Sequence, residues 1–321
     1  MAGFFKKSWA VKLVSLASVF ILVQLLISAG FIDSYIQATI ATICINIILA
    51  VSLNLITGFT GQFSLGHAGF MSIGAYVCAI ITLRIGTTGS FILGVFAGAI
   101  AAALVGFLVG LPTLRLKGDY LAIATLGLSE IIRIIFTNLK ITNGAAGLSY
   151  IPRFVNWFWI FIFTVGTVLL IVNYIKSSHG RACIAIREDE IASEAMGINS
   201  TRYKVTVFTI GAFCAGIAGA LYASYFYDIA PKTFGFLKSI DVLVIVVFGG
   251  LGSISGSILA AIVLALISTF LQSFSEIRMI LYALMLIIIM IFRPQGLMGS
   301  KELSLSLFKK AGKLFSKKER V

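Results

Sequence analysis

The sequence has few charged residues. Lys, Arg, Asp and Glu make up 12% of its 321 residues, whereas hydrophobic residues make up 59%. Soluble domains are about one quarter charged, so this composition indicates a membrane protein. A chain in lipid must satisfy its own backbone hydrogen bonds, and it therefore forms helices or a closed barrel. The apolar runs are continuous and about 20 residues long, which favours helices over short alternating barrel strands.

The sequence also lacks the motifs of phosphate binding and catalysis. It has no G-x-x-x-x-G-K-[ST] loop, no paired catalytic carboxylates, no His–Glu metal motif and no nucleophile elbow. The four cysteines show no CxxC spacing, and the two histidines lie far apart. We therefore expect no catalytic residue, no metal site, no cofactor bound by this chain and no ATPase site of its own.

The basic character of the chain has a simple explanation in a membrane protein. The formal net charge is +13, which on a soluble chain would suggest nucleic acid. Cytoplasmic loops of membrane proteins are enriched in Lys and Arg, and no aromatic-plus-basic stripe of a single-strand binder occurs. We expect contact with membrane lipid and none with nucleic acid.

Uncharged or charge-poor windows predict the membrane spans. The first one follows basic residues, as in a signal peptide, but it is long enough to be an uncleaved helix. A further uncharged stretch follows Asp241 and is interrupted at Gly249–Ser257, so it is either two short spans or a re-entrant pair. The alternatives give ten or eight crossings, and we favour ten helical segments. The windows are 13–32, 36–57, 62–83, 90–111, 119–138, 156–175, 204–227, 239–275 and 277–292.

Basic residues set the predicted orientation. They precede the first span, lie between the fourth and fifth spans and between the sixth and seventh, and fill the tail. All fall on one side if both termini are cytoplasmic. The predicted organisation is a basic cytoplasmic N-terminus (1–12), a transmembrane domain (13–299) with a cytoplasmic loop at 176–204, and a basic cytoplasmic tail (300–321).

Glycines and polar side chains interrupt two of the spans. Irregular backbone at membrane depth survives where it is buried in protein or lines a watery cavity. One interpretation is that these breaks border a translocation path. The other is tight helix packing, with hydroxyl groups bonded back to the chain. The candidates are Gly58, Gly61, Gln62, Ser64, Gly66, His67, Gly249, Gly250 and Ser253.

The loop between spans six and seven reads as an amphipathic helix. Ile184, Ile186, Ile191, Ala195 and Met196 form an apolar face, and acidic residues dominate the middle of the polar face. Helices that bind anionic lipid are usually rich in Lys and Arg, so the acid-rich face favours a protein partner over a helix lying on lipid. A glycine two residues after Ala195 predicts the helix stop. Within the fifth span, Glu130 and Arg133 are three residues apart and are predicted to form an intramembrane ion pair.

Five stretches resemble the permeases of branched-chain amino acid ABC importers, and the second resembles the LivM-type rather than the LivH-type member of the permease pair. The resemblance covers about residues 35 to 299. The stretches are SLNLITGFTGQFSLGHAGFMSIGAY (52–76), LKGDYLAIATLGLSEIIR (116–133), GRACIAIREDEIASEAMGINSTRYKVTVFTIGAFCAGIAGALYA (180–223), VFGGLGSISGSILAA (247–261) and FRPQGLMG (292–299).

The resemblance implies an all-α, polytopic helix bundle like that of type II ABC importers, with about 8–10 transmembrane segments and broken helices. It implies a second permease subunit, two cytoplasmic ATP-binding subunits that use ATP and Mg²⁺, and an extracytoplasmic solute-binding protein. The location implied is the bacterial cytoplasmic (inner) membrane. Residues 194–197 match the family's ATPase-docking loop, with Met in place of Ala at the third position. The coupling residues implied are Arg187, Glu188, Asp189, Glu190, Glu194, Ala195 and Gly197.

The cargo implied is a branched-chain or related hydrophobic amino acid. The same machine could carry urea, amides, sugars or nucleosides. A different class is an ion-coupled secondary transporter with His67, Glu130 and Asp241 as relay groups, and a third alternative is a membrane scaffold without a transport role.

Overall fold

The computed structural model describes residues 17–270, apart from residues 19, 115 and 117, and then residues 280, 284, 287 and 296–299. Within this part, six helices are long and apolar enough to cross a membrane. Their bounds are α2 (Ser34–Asn54, continued by a π-helical turn Leu55–Phe59), α3 (His67–Ile85), α4 (Thr88–Thr113), α5 (Asp119–Asn138), α6 (Trp157–Lys176) and α9 (Ser200–Phe226).

Shorter elements connect and flank these six helices. The predicted windows 277–292 and 300–321 and the N-terminal residues 1–12 lie almost wholly outside the described residues. The shorter elements are α1 (20–28), 3-10 turns at Lys140–Thr142, Gly144–Ala146 and Pro231–Phe234, β1 (Leu148–Ser149), α7 (Ser178–Glu188), α8 (Glu190–Ala195), β2 (Asp228–Ile229), α10 (Phe236–Gly249) and α11 (Ile254–Phe270).

Glycines bring α3, α4 and α9 into backbone contact at the centre of the bundle. A Cβ atom on Gly74 would lie 2.0 Å from the carbonyl oxygen of Gly216, and one on Gly98 would lie 2.7 Å from the carbonyl oxygen of Gly74. One on Gly219 would lie 1.9 Å from the carbonyl oxygen of Met71. Lipid supplies no hydrophobic drive between helices, so close packing of small residues holds such bundles together.

The first break separates α2 from α3. The chain winds into the π-helical turn after Asn54 and is non-helical from 61 to 66, and α3 begins at His67. The predicted span 62–83 is therefore wrong at its start, because hydropathy does not distinguish an apolar helix from an apolar extended segment. Leu65 N–H donates to Thr125 Oγ1, which lies six residues and therefore about 9 Å along α5. The break thus lies inside the bundle.

The second break separates α10 from α11. The interruption predicted at Gly249–Ser257 is shorter in the structure, since Gly249 still belongs to α10 and α11 begins at Ile254. The backbone of Gly250 and Gly252 is left-handed, with φ of +109° and +85°. The two helices touch beyond this turn, where a Cβ on Gly249 would lie 2.6 Å from the carbonyl of Gly256.

Two structures mark opposite ends of the bundle. The two-residue strands β1 and β2 pair antiparallel, with Leu148 opposite Ile229, and join the α5–α6 connection to the end of α9. Helices α7 and α8 lie between the C-terminus of α6 and the N-terminus of α9, at the other end. We call the second end the α7 end.

The predicted amphipathic helix of the 176–204 loop is two helices. Asp189 separates them because its Oδ1 accepts a hydrogen bond from Ala192 N–H at 2.9 Å and so caps α8. The helix stop predicted at Gly197 is confirmed, since α8 ends at Ala195 and Gly197 has φ of +85°.

Candidate functional site

Asn54 joins the two helix breaks. Its amide Nδ2 donates to the Ser253 carbonyl at 2.9 Å and to Ser257 Oγ at 2.8 Å, and its Oδ1 accepts from Gly252 N–H at 2.9 Å. The side chain is fully buried at the end of α2. A single amide therefore supplies both a donor and an acceptor to the turn between α10 and α11.

Gly58 allows the breaks to approach each other. A Cβ at this position would lie 1.8 Å from Asn54 Oδ1 and 2.4 Å from Gly252 N. These distances are too short for any side chain. The π-helical turn and the α10–α11 turn are thus in direct backbone contact.

Arg187 lies over the same contact from α7. Its Nη1 donates to the Gly58 carbonyl at 2.7 Å. Its stem covers Gly61, where a Cβ would lie 3.1 Å from Arg187 Cγ, and its Nη1 is 3.0 Å from the position of a Cβ on Gly252. The remaining guanidinium nitrogens pair with Glu188. Three segments that are distant in sequence meet at this residue.

A cavity of about 270 Å³ lies beside the junction. It is smaller than the usual range of ligand pockets, about 300–1,000 Å³. Residues of the π-helical turn, α6, α7, the α10–α11 turn and α11 line it. They are Phe59, Val172, Ile175, Lys176, Ile184, Arg187, Gly252 and Ile254.

The non-helical residues 61–66 pack against α5, and the first turn of α3 contacts α10. A Cβ on Gly66 would lie 2.8 Å from the Thr125 carbonyl, and Ala68 N–H donates to Ser239 Oγ at 3.2 Å. Gln62 and Ser64 are buried within this chain. Both amide atoms of Gln62 lack a hydrogen-bond partner among the described residues.

His67 occupies the first position of α3. Its Nε2 is 2.8 Å from Ser52 Oγ on α2, and the residue is 1% exposed. A buried histidine bonded to a hydroxyl fits an interior packing role. Its Nδ1 lacks a hydrogen-bond partner among the described residues.

The exposed side chain of the first break is Phe63, which is 38% exposed, and sequence reasoning missed it. Alternation along residues 62–64 buries the polar side chains and exposes the aromatic one. Asn54 was missed as well, although a lone amide within the apolar run VSLNLI was a visible signal. Nothing in the sequence indicated that Arg187 points towards Gly58.

The acidic residues of the predicted coupling loop have partners within the chain. Glu190 Oε1 is 2.5 Å from Lys204 Nζ, Glu194 accepts from Ser200, and Glu188 pairs with Arg187. Asp189 caps α8, as described above. These contacts fix α8 against the start of α9 rather than leaving a free acidic face.

The apolar residues of this loop divide into two sets. Ile186 is 4% exposed and Ile184 packs against the core, so the α7 part of the predicted face is buried. On and just after α8, Ile191 is 79% exposed, Met196 is 84% exposed, and Ala195 lies between them at the surface. These three residues form an apolar surface, which we call the α8 surface.

Cys183 attaches α7 to the bundle. Its Sγ lies 3.8 Å from Tyr174 Oη, and it is 1% exposed. Burial raises the pKa of the Cys183 thiol above its ordinary value, and hydrogen bonds with Tyr174 and Thr60 partly oppose that rise. Thr60 belongs to the end of the first break, so this thiol is a second contact between α7 and that break.

Glu130 and Arg133 form an ion pair on α5, with Arg133 Nε donating to Glu130 Oε2 at 2.8 Å. Both side chains are about one third exposed. The predicted site residues thus do not form one site. They lie at the junction of the two breaks with Arg187, in the buried chain around Gln62–His67, on and beside α8, and in this pair. Gly249 belongs to the α10–α11 contact, outside the junction. Among the described residues, no three His, Cys, Asp or Glu side chains lie together as a metal-binding group.

Comparison with known families gives one match that spans most of the chain. Residues 35–290 match the model of the family described as the branched-chain amino acid transport system permease component. This range includes both breaks, the α8 surface and the Glu130–Arg133 pair.

Individual relatives agree with the family match. The high-affinity branched-chain amino acid transport system permease protein LivM of Salmonella typhimurium is 38% identical, over 85% of this chain and 71% of the relative. LivM of Escherichia coli K12 is also 38% identical, over 90% of this chain and 74% of the relative. LivH of Salmonella typhimurium is 27% identical, over 79% of this chain and 91% of the relative. The predicted resemblance to LivM-type permeases is confirmed.

Proposed function

The chain belongs to the family of branched-chain amino acid transport system permease components, and from this we propose that it carries branched-chain amino acids across the bacterial cytoplasmic membrane as one subunit of an ATP-driven importer. It is a multi-pass membrane protein, and six long apolar helices lie within its described residues. The observation that carries the proposal is the 38% identity to LivM relatives over 85–90% of the chain.

We propose that the chain works with other subunits. The similarity to both LivM and LivH relatives supports pairing with a second, related permease. Two ATP-binding subunits at the α7 end would use ATP and Mg²⁺, and an extracytoplasmic protein would deliver the amino acid. The Lys and Arg distribution supports a cytoplasmic position for the α7 end and for both termini.

The α8 surface is our candidate contact with an ATP-binding subunit. Ile191 and Met196 are among the most exposed large apolar side chains of the described residues. They lie on and just after α8, outside the long apolar spans, so burial within a membrane span does not account for them. Apolar side chains exposed in this way favour contact with a protein partner.

One experiment tests the cargo and the energy source together. The chain is reconstituted in proteoliposomes with its candidate second permease, ATP-binding subunits and binding protein. We expect ATP-dependent uptake of labelled leucine, isoleucine or valine, competed by each of the other two. Uptake of urea or a sugar in place of these amino acids would identify the alternative cargo. Uptake driven by a proton or sodium gradient without ATP would identify a secondary transporter.

A substitution pair tests the α8 surface. Ile191→Asp places a charge on that surface, and we expect it to reduce co-purification of the ATP-binding subunits by roughly tenfold, since truncating a central apolar anchor costs over 1 kcal/mol. Ile141→Asp is the matched control, because Ile141 is 60% exposed near the opposite end. Equal co-purification of both variants would contradict a contact at α8.

A further inference from the structure

Arg187 faces the interior of the bundle, although the sequence assigns it to a loop that contacts the ATP-binding subunits. Its side chain is 31% exposed, and its Nη1 reaches the Gly58 carbonyl, which lies 129 residues earlier in the chain. The α8 surface lies a few residues further along. One continuous segment, α7–α8, therefore carries the proposed partner contact at one end and a contact with the helix breaks at the other.

The contact with Gly58 is chemically strong. Gly58 lies at the C-terminal end of α2 and its π-helical turn, where backbone carbonyls carry partial negative charge. A hydrogen bond from a guanidinium group to such a carbonyl is charge-assisted and about twice as strong as a neutral one. Glu188 engages the other nitrogens of the fork, which holds the guanidinium plane in place.

The same group also lies close to the second break. Arg187 Nη1 is 3.0 Å from the position of a Cβ on Gly252, and Gly252 N–H donates to Asn54 Oδ1 at the end of α2. Displacement of Arg187 therefore acts on the backbone of both breaks. The adjacent cavity of about 270 Å³ is lined by Ile184 and Arg187 of α7 and by one residue of each break, Phe59 and Gly252.

We propose that Arg187 fastens α7 to both helix breaks and so transmits displacement of the α7–α8 segment to the path through the membrane. Arg187 is a positioning residue, since it acts through the backbone of Gly58 and Gly252 and touches no cargo. This proposal rests on the proposed function, because it explains how a movement caused by the ATP-binding subunits at α8 reaches the helix breaks inside the bundle.

The first test uses the purified chain alone. Hydrogen exchange is measured for the wild type and for Arg187→Met, which keeps the length of the side chain without its donors. We expect amide exchange to become faster by roughly tenfold or more in segments 55–66 and 250–257, because a hydrogen bond to a charged group has been lost. Arg181→Met is the matched control, since Arg181 is exposed on the same helix and donates to the Lys176 carbonyl. Its exchange in both segments should equal that of the wild type.

The second test uses the complete transporter. For Arg187→Met we expect leucine uptake to fall by roughly tenfold while ATP hydrolysis and co-purification of the ATP-binding subunits stay within about twofold of the wild type. The amino acid moved per ATP would therefore fall. Arg187→Lys keeps the charge and one possible bond to Gly58, so it should recover part of the uptake. Arg181→Met should transport as the wild type does.

A pair of glycine substitutions tests the contact between α7 and the first break without changing Arg187 itself. Gly61→Ala would place a Cβ 3.1 Å from Arg187 Cγ at φ of +73°. Gly86→Ala has a similar φ of +69° and no atom within 4 Å of the Cβ position. Both variants therefore place alanine at a positive φ, and only the first places an atom against Arg187. We expect the ratio of uptake to ATP hydrolysis to fall for Gly61→Ala and to remain normal for Gly86→Ala.

Two results would overturn the proposal. One is unchanged exchange in either break after Arg187→Met. The other is a parallel loss of uptake, ATP hydrolysis and assembly, which would make Arg187 a general structural brace. Absence of ATP-dependent uptake in the wild-type complex is a different failure, since it contradicts the proposed function and removes this proposal with it.

Discussion

Asn54 and Arg187 are the residues on which the junction depends, and each makes contacts that no other described side chain duplicates. Asn54 could have been found in the sequence as an isolated amide in an apolar run, because such residues face the interior of a bundle. Its partners could not have been found in the same way, since Gly252 and Ser257 lie about 200 positions away in the sequence and no periodicity links them to Asn54. The direction of the Arg187 side chain depends on how α7 packs, which composition does not determine.

The first prediction concerns Asn54. Asn54→Asp keeps the acceptor for Gly252 N–H but removes both donor contacts, to the Ser253 carbonyl and to Ser257 Oγ, and adds a buried charge. We expect a loss of roughly 2–4 kcal/mol in the free energy of unfolding. Asn138→Asp is the control, because Asn138 is exposed and bonds within its own helix. Equal thermal stability of the two variants would show that the bridge between the breaks contributes nothing.

The second prediction uses Cys183 as a reporter of α7. Thiolate is the reactive form, and burial raises the pKa of this thiol, so its thiolate fraction at neutral pH is below that of a free cysteine. We expect slow alkylation by maleimide at pH 7.5 in a chain whose other cysteines are replaced by Ala. The rate should increase when ATP binds to the complete transporter, since movement of α7 together with the breaks would separate Cys183 from Tyr174 of α6, expose the thiol and return its pKa towards the ordinary value.

A control defines the scale of that alkylation. Ser178→Cys introduces a thiol on the same helix at an exposed position, and it should react rapidly in every nucleotide state. A Cys183 thiol that reacts as fast as this control in the absence of ATP would contradict the packing of α7 on the bundle.

Hydropathy predicted the long helices, but it did not determine where they begin and end. The predicted span 62–83 begins five residues before α3, because residues 62–66 are uncharged and partly apolar. A non-helical segment that is buried by protein can have the same composition as the first turn of a helix. The 176–204 loop was read as one helix because its apolar spacing continues across Asp189, whereas the backbone of Asp189 is extended and its side chain caps α8. Local side-chain capping thus outweighs periodicity at the start of α8.

The third prediction concerns the packing of α3 against α9. Gly74→Ala would place a Cβ 2.0 Å from the carbonyl oxygen of Gly216, so the helices must separate. We expect a loss of about 1–3 kcal/mol or more in the free energy of unfolding, measured as a lower thermal midpoint in detergent. Gly166→Ala in α6 is the control, since no atom lies within 4 Å of its Cβ position and alanine favours a helix by roughly 0.5–1 kcal/mol. Equal effects would contradict close contact of α3 with α9.

At the scale of the whole molecule, composition was sufficient to predict a polytopic helix bundle, and five short stretches were sufficient to predict its family. The contacts between the two helix breaks and α7 could not be predicted from composition or from these stretches. The two glycine-rich interruptions were expected either to border a translocation path or to pack tightly, but the sequence did not show that they are in contact with each other or that α7 covers that contact. Contacts between segments so distant in sequence leave no trace in a single chain.

The central claim is that α7–α8 and the two helix breaks move as one unit when ATP binds. Spin labels are placed at Phe63→Cys, Ser178→Cys and Leu104→Cys, which report on the first break, α7 and the outer face of α4, and all three positions are exposed. Distances between pairs of labels are measured in the complete transporter with and without ATP. We expect the 63–104 and 178–104 distances to change together while the 63–178 distance stays constant. A change in 178–104 with a constant 63–104 distance would show that α7 moves without the break, and it would contradict the claim.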